Sequence, residues 1–359
     1  MLTNLDLVAA AGCAQSVKNV VISIYSCTDV TAAICEAARQ LRTVAAEWRD
    51  VRSLRIPFTW NMDAVEDERG TADAKWYASK INRAVCALFT IPGVTRLYFS
   101  GAIYRAILYG LYGRMIGLYA DQLLYVHMEH PVELSQTTAL TKIQHFESEC
   151  YDGPAHHLPR LDPSTLRVLR VRGRSLHHLW DRCDAQNGGA RKVAFPELRE
   201  LGLFYVTENH TSSASAQFQS SNAWRLHFPK LQKLHVGTEL EICPVLEHAV
   251  LPAQMDSITI EASASVLQKI AEMHPPAVRR LAILVKPGAG ARAAGLAAAN
   301  QILNTGLSEH MELEISDQEI CVSLESLTCT SLTRLEMSAT VDFETVFGII
   351  EAMPRLLLL

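Results

Sequence analysis

The feature that most constrains this chain is a phrase that recurs along it. A proline or small polar residue and a spacer lead into apolar residues at the first, fourth and sixth places of an L-x-x-L-x-L pattern. The clearest copies are FPELRELGL (195–203) and FPKLQKLHV (228–236), which align Leu198, Leu201 and Leu203 with Leu231, Leu234 and Val236. IPGVTRLYF (91–99), DPSTLRVLRV (162–171), LPAQMDSITI (251–260), PPAVRRLAI (275–283) and CTSLTRLEM (329–337) match with small adjustments. Weaker copies are SVKNVVI (16–22), DVRSLRI (50–56), QLLYVHM (122–128) and HMELEI (310–315). LTKIQHF (140–146) fits least well, because His145 falls where the third apolar residue belongs.

The last two apolar residues of each phrase are two apart, so on an extended strand they face one side while the residues between them face the other. Each copy therefore reads as a short strand with one buried face. Between copies lie segments of helical periodicity: 29–48 (DVTAAICEAARQLRTVAAEW), 72–89 (ADAKWYASKINRAVCALF), 102–122 (AIYRAILYGLYGRMIGLYADQ) and 265–273 (SVLQKIAEM). Strand and helix alternating with a period of about 20 to 45 residues mark a solenoid, whose units bury their apolar faces against one another.

This spacing resembles the strand half of a leucine-rich repeat, sustained over about a dozen units and nearly the whole chain. The resemblance implies an α/β fold, an irregular leucine-rich-repeat-like solenoid or horseshoe. Its parallel strands would line the concave face and its helices the convex face, in a single domain spanning 1–359. The asparagine or cysteine of regular repeats is missing, since the position holds Thr59, Ala102, Arg174, Val206, Glu239, Ser263, Lys286 and Thr340. Uneven repeats with long insertions are expected, among them a serine-rich loop at 207–226. The irregular units and the FPxLxxLxL phrase are similar to divergent fungal leucine-rich-repeat proteins of the F-box type, often substrate receptors of cullin-type ubiquitin ligases. An F-box would need about forty residues opening on a Leu-Pro phrase, yet the first strand phrase already begins at Ser16. The end, MPRLLLL (353–359), starts a further phrase and stops mid-strand, so a chain cut short at one or both termini is expected.

Composition narrows the function classes. Apolar residues make up 49% and charged residues 20%, which suits a folded core rather than disorder. A net charge of -5 disfavours a nucleic-acid binder. The nine scattered cysteines contain no CxxC pair and read as reduced thiols. With no basic stretch ahead of a long apolar run at the N-terminus, an intracellular protein, cytoplasmic or nuclear, is expected. The apolar stretch 102–126 is interrupted by Arg105, Arg114 and Asp121, which argues for a buried amphipathic helix rather than a membrane span.

One segment suggests different chemistry. VRRLAILVKPGAGARAAGLAAANQIL (278–303) sets Gly288, Gly290 and Ala293 between a strand and a helix, close to a dinucleotide fingerprint, with Glu314 or Asp317 further on. A nucleotide-dependent enzyme is the competing reading. VRRLAI is itself a phrase copy, however, and only about 45 residues follow the next strand, too few to complete such a fold. His156, His157, His177, His178, Asp181 and Cys183 are spaced poorly for chelation, because adjacent histidines point apart. Neither a G-x-S-x-G elbow nor a phosphate loop is present. No catalytic residue, cofactor or metal is expected.

The sharpest surface feature is LRVLRVRGR (166–174). With Leu169 and Val171 inward, Arg170 and Arg172 project outward. Equivalent slots in other copies hold Arg55, Arg96, Tyr98, His127, Lys233, His235 and Arg280, with Phe204 nearby and Glu312, Glu314 and Glu336 farther along. Arginine and aromatic residues are enriched at interface hot spots. The expectation is a non-enzymatic scaffold that binds a protein partner on this face, running from basic to acidic, with substrate recognition for a ubiquitin ligase as the alternative the resemblance implies.

Overall fold

The computed structural model of the chain describes residues 18–21, 24–25, 50–59, 91, 93–100, 109–129, 138–148, 159–172, 192–204, 225–238, 249–250, 252, 254–262, 267–268, 271, 277–285, 297–299, 301–303, 310–315, 332–337, 347–348, 351 and 355. The chain divides into two compact units, Met1–Leu166 and Arg167–Leu359.

In the first unit the strands are β1 (Asn19–Val21), β2 (Ile24–Tyr25), β3 (Ser53–Thr59), β4 (Arg96–Ser100), β5 (Tyr125–Met128), β6 (Ala139–Leu140), β7 (His145–Ser148) and β8 (Arg160–Leu161), with helix α1 (Tyr109–Tyr119) between β4 and β5. β1, β3, β4, β5 and β7 pair in chain order, every pair parallel. β2 pairs with the far end of β3, and β6 pairs with β8.

The second unit contains β9 (Val168–Arg172), β10 (Lys192–Ala194), β11 (Glu200–Phe204), β12 (Arg225–His227), β13 (Lys233–Thr238), β14 (Ala249–Val250), β15 (Gln254–Ala262), β16 (Ala277–Val285), β17 (His310–Ile315) and β18 (Leu332–Met337). Its main ladder is parallel and runs β9, β11, β13, β15, β16, β17, β18. Residues 267–268, 271, 297–299 and 301–303, between its strands, are helical. Parallel strands joined through helix give the protein its α/β character, and the described strands form no closed barrel.

The phrase explains the ladders residue by residue. Its first, fourth and sixth places are the core: Val94, Leu97 and Phe99; Leu123, Val126 and Met128; Leu198, Leu201 and Leu203; Leu231, Leu234 and Val236; Val278, Leu281 and Ile283 are all buried. Register stacks like on like, with Leu169, Leu201, Leu234, Ile258 and Leu281 in one column. The second place makes the entry rung. Arg199 N–H donates to Arg167 C=O at 2.8 Å, Gln232 to Arg199 at 2.8 Å, and Asp256 to Gln232 at 2.9 Å. Arg52, Thr95, Leu124 and Gln144 repeat the pattern in the first unit.

The proline-led opening is a tight turn. Leu198 N–H reaches Phe195 C=O and Leu231 N–H reaches Phe228 C=O, each at 3.3 Å, with proline at the second turn position, where its fixed φ suits the bend. In the DPST copy, Asp162 Oδ1 accepts from the Ser164 amide and hydroxyl at 2.9 and 2.6 Å.

Several expectations shift. The phrase at 140–146 is phased three residues later than the sequence suggests: Ile143, Phe146 and Ser148 are the buried places and His145 faces outward. The rung from Gln144 N–H to Leu124 C=O at 2.9 Å sets this phase, and the serine at the sixth place is what hides it from a search for apolar residues. Short strands β10, β12 and β14 precede the phrases and form a second parallel ladder that no sequence period reveals. Arg225 and Leu226, expected in the serine-rich loop, begin β12, where pairing with β10 and β14 outweighs the polar composition upstream. The rest of that loop and the helical segments 29–48 and 72–89 lie outside the described residues.

Helix α1 bears out the amphipathic reading of its part of 102–126: Met115, Ile116 and Tyr119 are buried while Arg114 and Leu118 are exposed. Among the described residues no helix is long and apolar enough to cross a membrane.

Candidate functional site: the outward rows

Because side chains alternate along a strand, the third and fifth places of each phrase share the face opposite the core. Register sorts the slots read from sequence into two rows rather than one. In the first unit the third-place row runs Ser53, Arg96, Tyr125, His145, and the fifth-place row runs Arg55, Tyr98, His127, Glu147. Arg96 therefore sits one row away from Arg55, Tyr98 and His127, on the same face. In the second unit the third-place row is Val168, Glu200, Lys233, Ser257, Arg280, His310, and the fifth-place row begins Arg170, Gly202, His235, Thr259, Ala282, Glu312. Arg172 stands opposite Phe204 one step further on.

The first-unit face is aromatic. The Tyr98 and Tyr125 rings lie 4.6 Å apart at 33°, and Tyr125 stacks on His145 at 4.1 Å and 24°. Beside them Glu147 is buried although charged. Its Oε2 lies 3.3 Å from His127 Nδ1 and 3.3 Å from His145 Nε2, so one carboxylate ties two strands' imidazoles together. A buried carboxylate is retained where such partners compensate its lost hydration. Glu129 approaches His127 at 3.7 Å.

On the second-unit face the Arg170 guanidinium reaches Glu200 Oε1 through Nε at 2.7 Å and Nη2 at 2.5 Å. Gly202, directly opposite Arg170, has no side chain to obstruct the fork. His235 lies 3.8 Å from Glu261 and Arg334 lies 2.6 Å from Glu336. Lys233 and Arg280 are exposed. The expected run from basic to acidic is locally a mixture, since Glu200 shares a row with Lys233 and Arg280. Acids do gather further along the strands, where Glu314 faces Glu336.

Tyr125, His145, Glu147 and Glu200 escaped the reading of the sequence. Tyr125 and Glu200 were legible as third-place residues, but His145 and Glu147 were hidden by the misplaced phase of their phrase. Among the described residues no group of three or more His, Cys, Asp or Glu is placed to hold a metal ion. The histidine set at 156–183 and Gly288, Gly290 and Ala293 lie outside the described residues. A scan against protein-family models and a search of curated proteins return no match to this chain.

Proposed function

We propose that this chain is a protein-interaction scaffold whose partner docks on the outward rows of its parallel ladders. Each unit is then an arc of leucine-rich-repeat-like solenoid, with strands on the concave side and helices on the convex side. The observation that carries the reading is the face itself. Arginine, tyrosine and histidine side chains, partly or fully exposed, stand in register on consecutive strands, with Tyr98, Tyr125 and His145 already stacked on one another. Aromatic and arginine side chains are the ones that dominate interface energetics.

The strand order supports repeat over enzyme. In a dinucleotide fold the ligand sits where strand order reverses. β15, β16, β17 and β18 instead pair in chain order on either side of the glycine segment. The resemblance to F-box leucine-rich-repeat proteins makes substrate capture for a ubiquitin ligase the form this role would take, in which case a ligase adaptor co-purifies with the native protein.

The test is capture from the native source followed by mass spectrometry, repeated with outward-row variants. Tyr98→Ala with Tyr125→Ala, and Lys233→Glu with Arg280→Glu, should release a captured partner while the melting curve stays within a few degrees. Retention of the same partner by both pairs would move the site off this face.

A further inference from the structure

In the first unit Arg55 stands opposite Tyr98 and Arg96 opposite Ser53. The two arginines thus occupy the diagonal between the fifth place of one phrase and the third place of the next. The second unit shows what this diagonal accommodates. There Arg170 stands opposite Gly202 and Glu200 opposite Val168, the same two slots, and the guanidinium closes on the carboxylate at 2.7 Å. One unit fills the diagonal with a cation and its anion; the other fills it with two cations. Arg55 and Arg96 are both exposed, and neither has an ion-pair partner among the described residues. The acid on Arg55's row, Glu147, stands two strands beyond Tyr98 and is engaged by His127 and His145.

We infer that Arg55 and Arg96 form a receptor for a carboxylate supplied by an acidic peptide segment of the partner protein. The inference rests on the partner-binding reading above and names the chemistry of its first-unit site. The carboxylate takes the place that Glu200 holds beside Arg170, shared between two guanidinium forks that match its planar geometry. The Tyr98–Tyr125 pair follows directly: Tyr98 is opposite Arg55, and Tyr125 is opposite Arg96. An aromatic or aliphatic residue next to the acid therefore lands on the ring pair, whose rings are only partly exposed. A nucleic acid fits the site less well. It needs a track of cations for successive phosphates, whereas among the described residues of this face the two arginines are followed by a tyrosine pair and then by the acids Glu147 and Glu129 beside His127. The chain's net charge of -5 adds to the repulsion.

The experiment uses the full chain and fluorescein-labelled decapeptides, one alternating Glu with Tyr and one alternating Gln with Tyr, read by fluorescence anisotropy. The Glu peptide should bind about tenfold or more tighter than the Gln peptide. Arg55→Ala and Arg96→Ala should each remove about tenfold, the low end of what losing a hydrogen bond to a charged group costs. Arg96→Glu should abolish the preference by closing the diagonal from within, as Glu200 does. Because that variant gains an internal ion pair, its melting temperature should hold or rise, which separates loss of the site from loss of the fold. Inorganic phosphate and a ten-residue oligouridylate serve as competitors.

Equal binding of the two peptides overturns the proposal. So does Glu-peptide binding that survives Arg55→Ala with Arg96→Ala in a folded chain, or displacement by oligouridylate at lower concentration than by unlabelled Glu peptide. If the peptide preference is absent while Tyr98→Ala with Tyr125→Ala still releases the captured partner, the carboxylate receptor alone falls. If those tyrosine variants and the Lys233 and Arg280 variants all keep the partner, the docking face falls with it.

Discussion

Lys230 Nζ lies 2.6 Å from Glu197 Oε1, joining the third residue of one F-P-x-L turn to the third residue of the next, 33 positions along the chain. The turn's first residues meet in the same way: the Phe195 and Phe228 rings stack at 5.4 Å and 24° and are buried. The turn is thus a second seam between neighbouring phrases, apolar at its first residue and ionic at its third. The Lys230 ammonium also holds the Glu197 carboxyl below the usual carboxylate range.

Phe228→Ala should therefore destabilise the fold by about 3–5 kcal/mol, the cost of emptying a packed aromatic site. A urea titration of variant and parent measures it. The exposed ion pair is expected to matter far less: Lys230→Glu should lower the midpoint slightly, and exchanging the two charges, with Glu197→Lys added, should recover it.

Ser148 has its hydroxyl buried with no hydrogen-bond partner, at the place where neighbouring phrases put Met128 or Phe99. Removing an unsatisfied buried polar group relieves its desolvation cost. Ser148→Ala should raise stability by about 1 kcal/mol, seen as a higher urea midpoint with an unchanged slope.

Tyr119 on α1 is buried, and burial pushes its phenol up to about 12 against the pull of a hydrogen bond with the Ile91 backbone. The folded state therefore holds its proton where the unfolded chain, titrating near 10, releases it. The stability from the neutral buried phenol is complete below about pH 10 and is lost as pH rises through about 12, a loss of roughly 2–3 kcal/mol for a shift of this size. Denaturant midpoints across that window should fall less steeply for Tyr119→Phe than for the parent.

Gly93, the third residue of the IPGV phrase opening ahead of β4, has a φ of 83°, in the left-handed region that a Cβ disfavours. Gly93→Ala should cost about 1–2 kcal/mol. Gly93→Asn should cost less, because asparagine visits this region more readily, and the difference in thermal midpoint between the two variants reads out the backbone contribution.

The repeating strands were legible because the phrase is a direct image of their geometry. Buried places at first, fourth and sixth position leave an apolar trace that survives any change in the helix between. The outward rows were legible only in composition. Arg55, Arg96 and Tyr98 could be assigned to one face, and their places in the phrase put Arg96 in one row and Arg55 and Tyr98 in the other, but which residues stand opposite one another depends on register, which one strand's sequence does not encode. His145 and Glu147 were missed because Ser148 breaks the apolar trace, so their phrase was read out of phase. Strands such as β10 and β12 were invisible because three residues carry no period; they exist because the tight turn after them delivers successive chains to the same edge. The Arg170–Glu200 pair is a relation between two phrases, and no inspection of either one predicts it.

The order of pairing bears on how such a protein is made. In each unit's main ladder, every strand after the first docks on a strand that precedes it in the chain, as β4 does on β3 and β13 on β11. A ribosome delivering the chain from its N-terminus thus presents each new strand of the ladder to one already made, and after the first no strand needs a later residue in order to dock. Assembly can keep pace with translation, at the low sequence separation that favours fast folding.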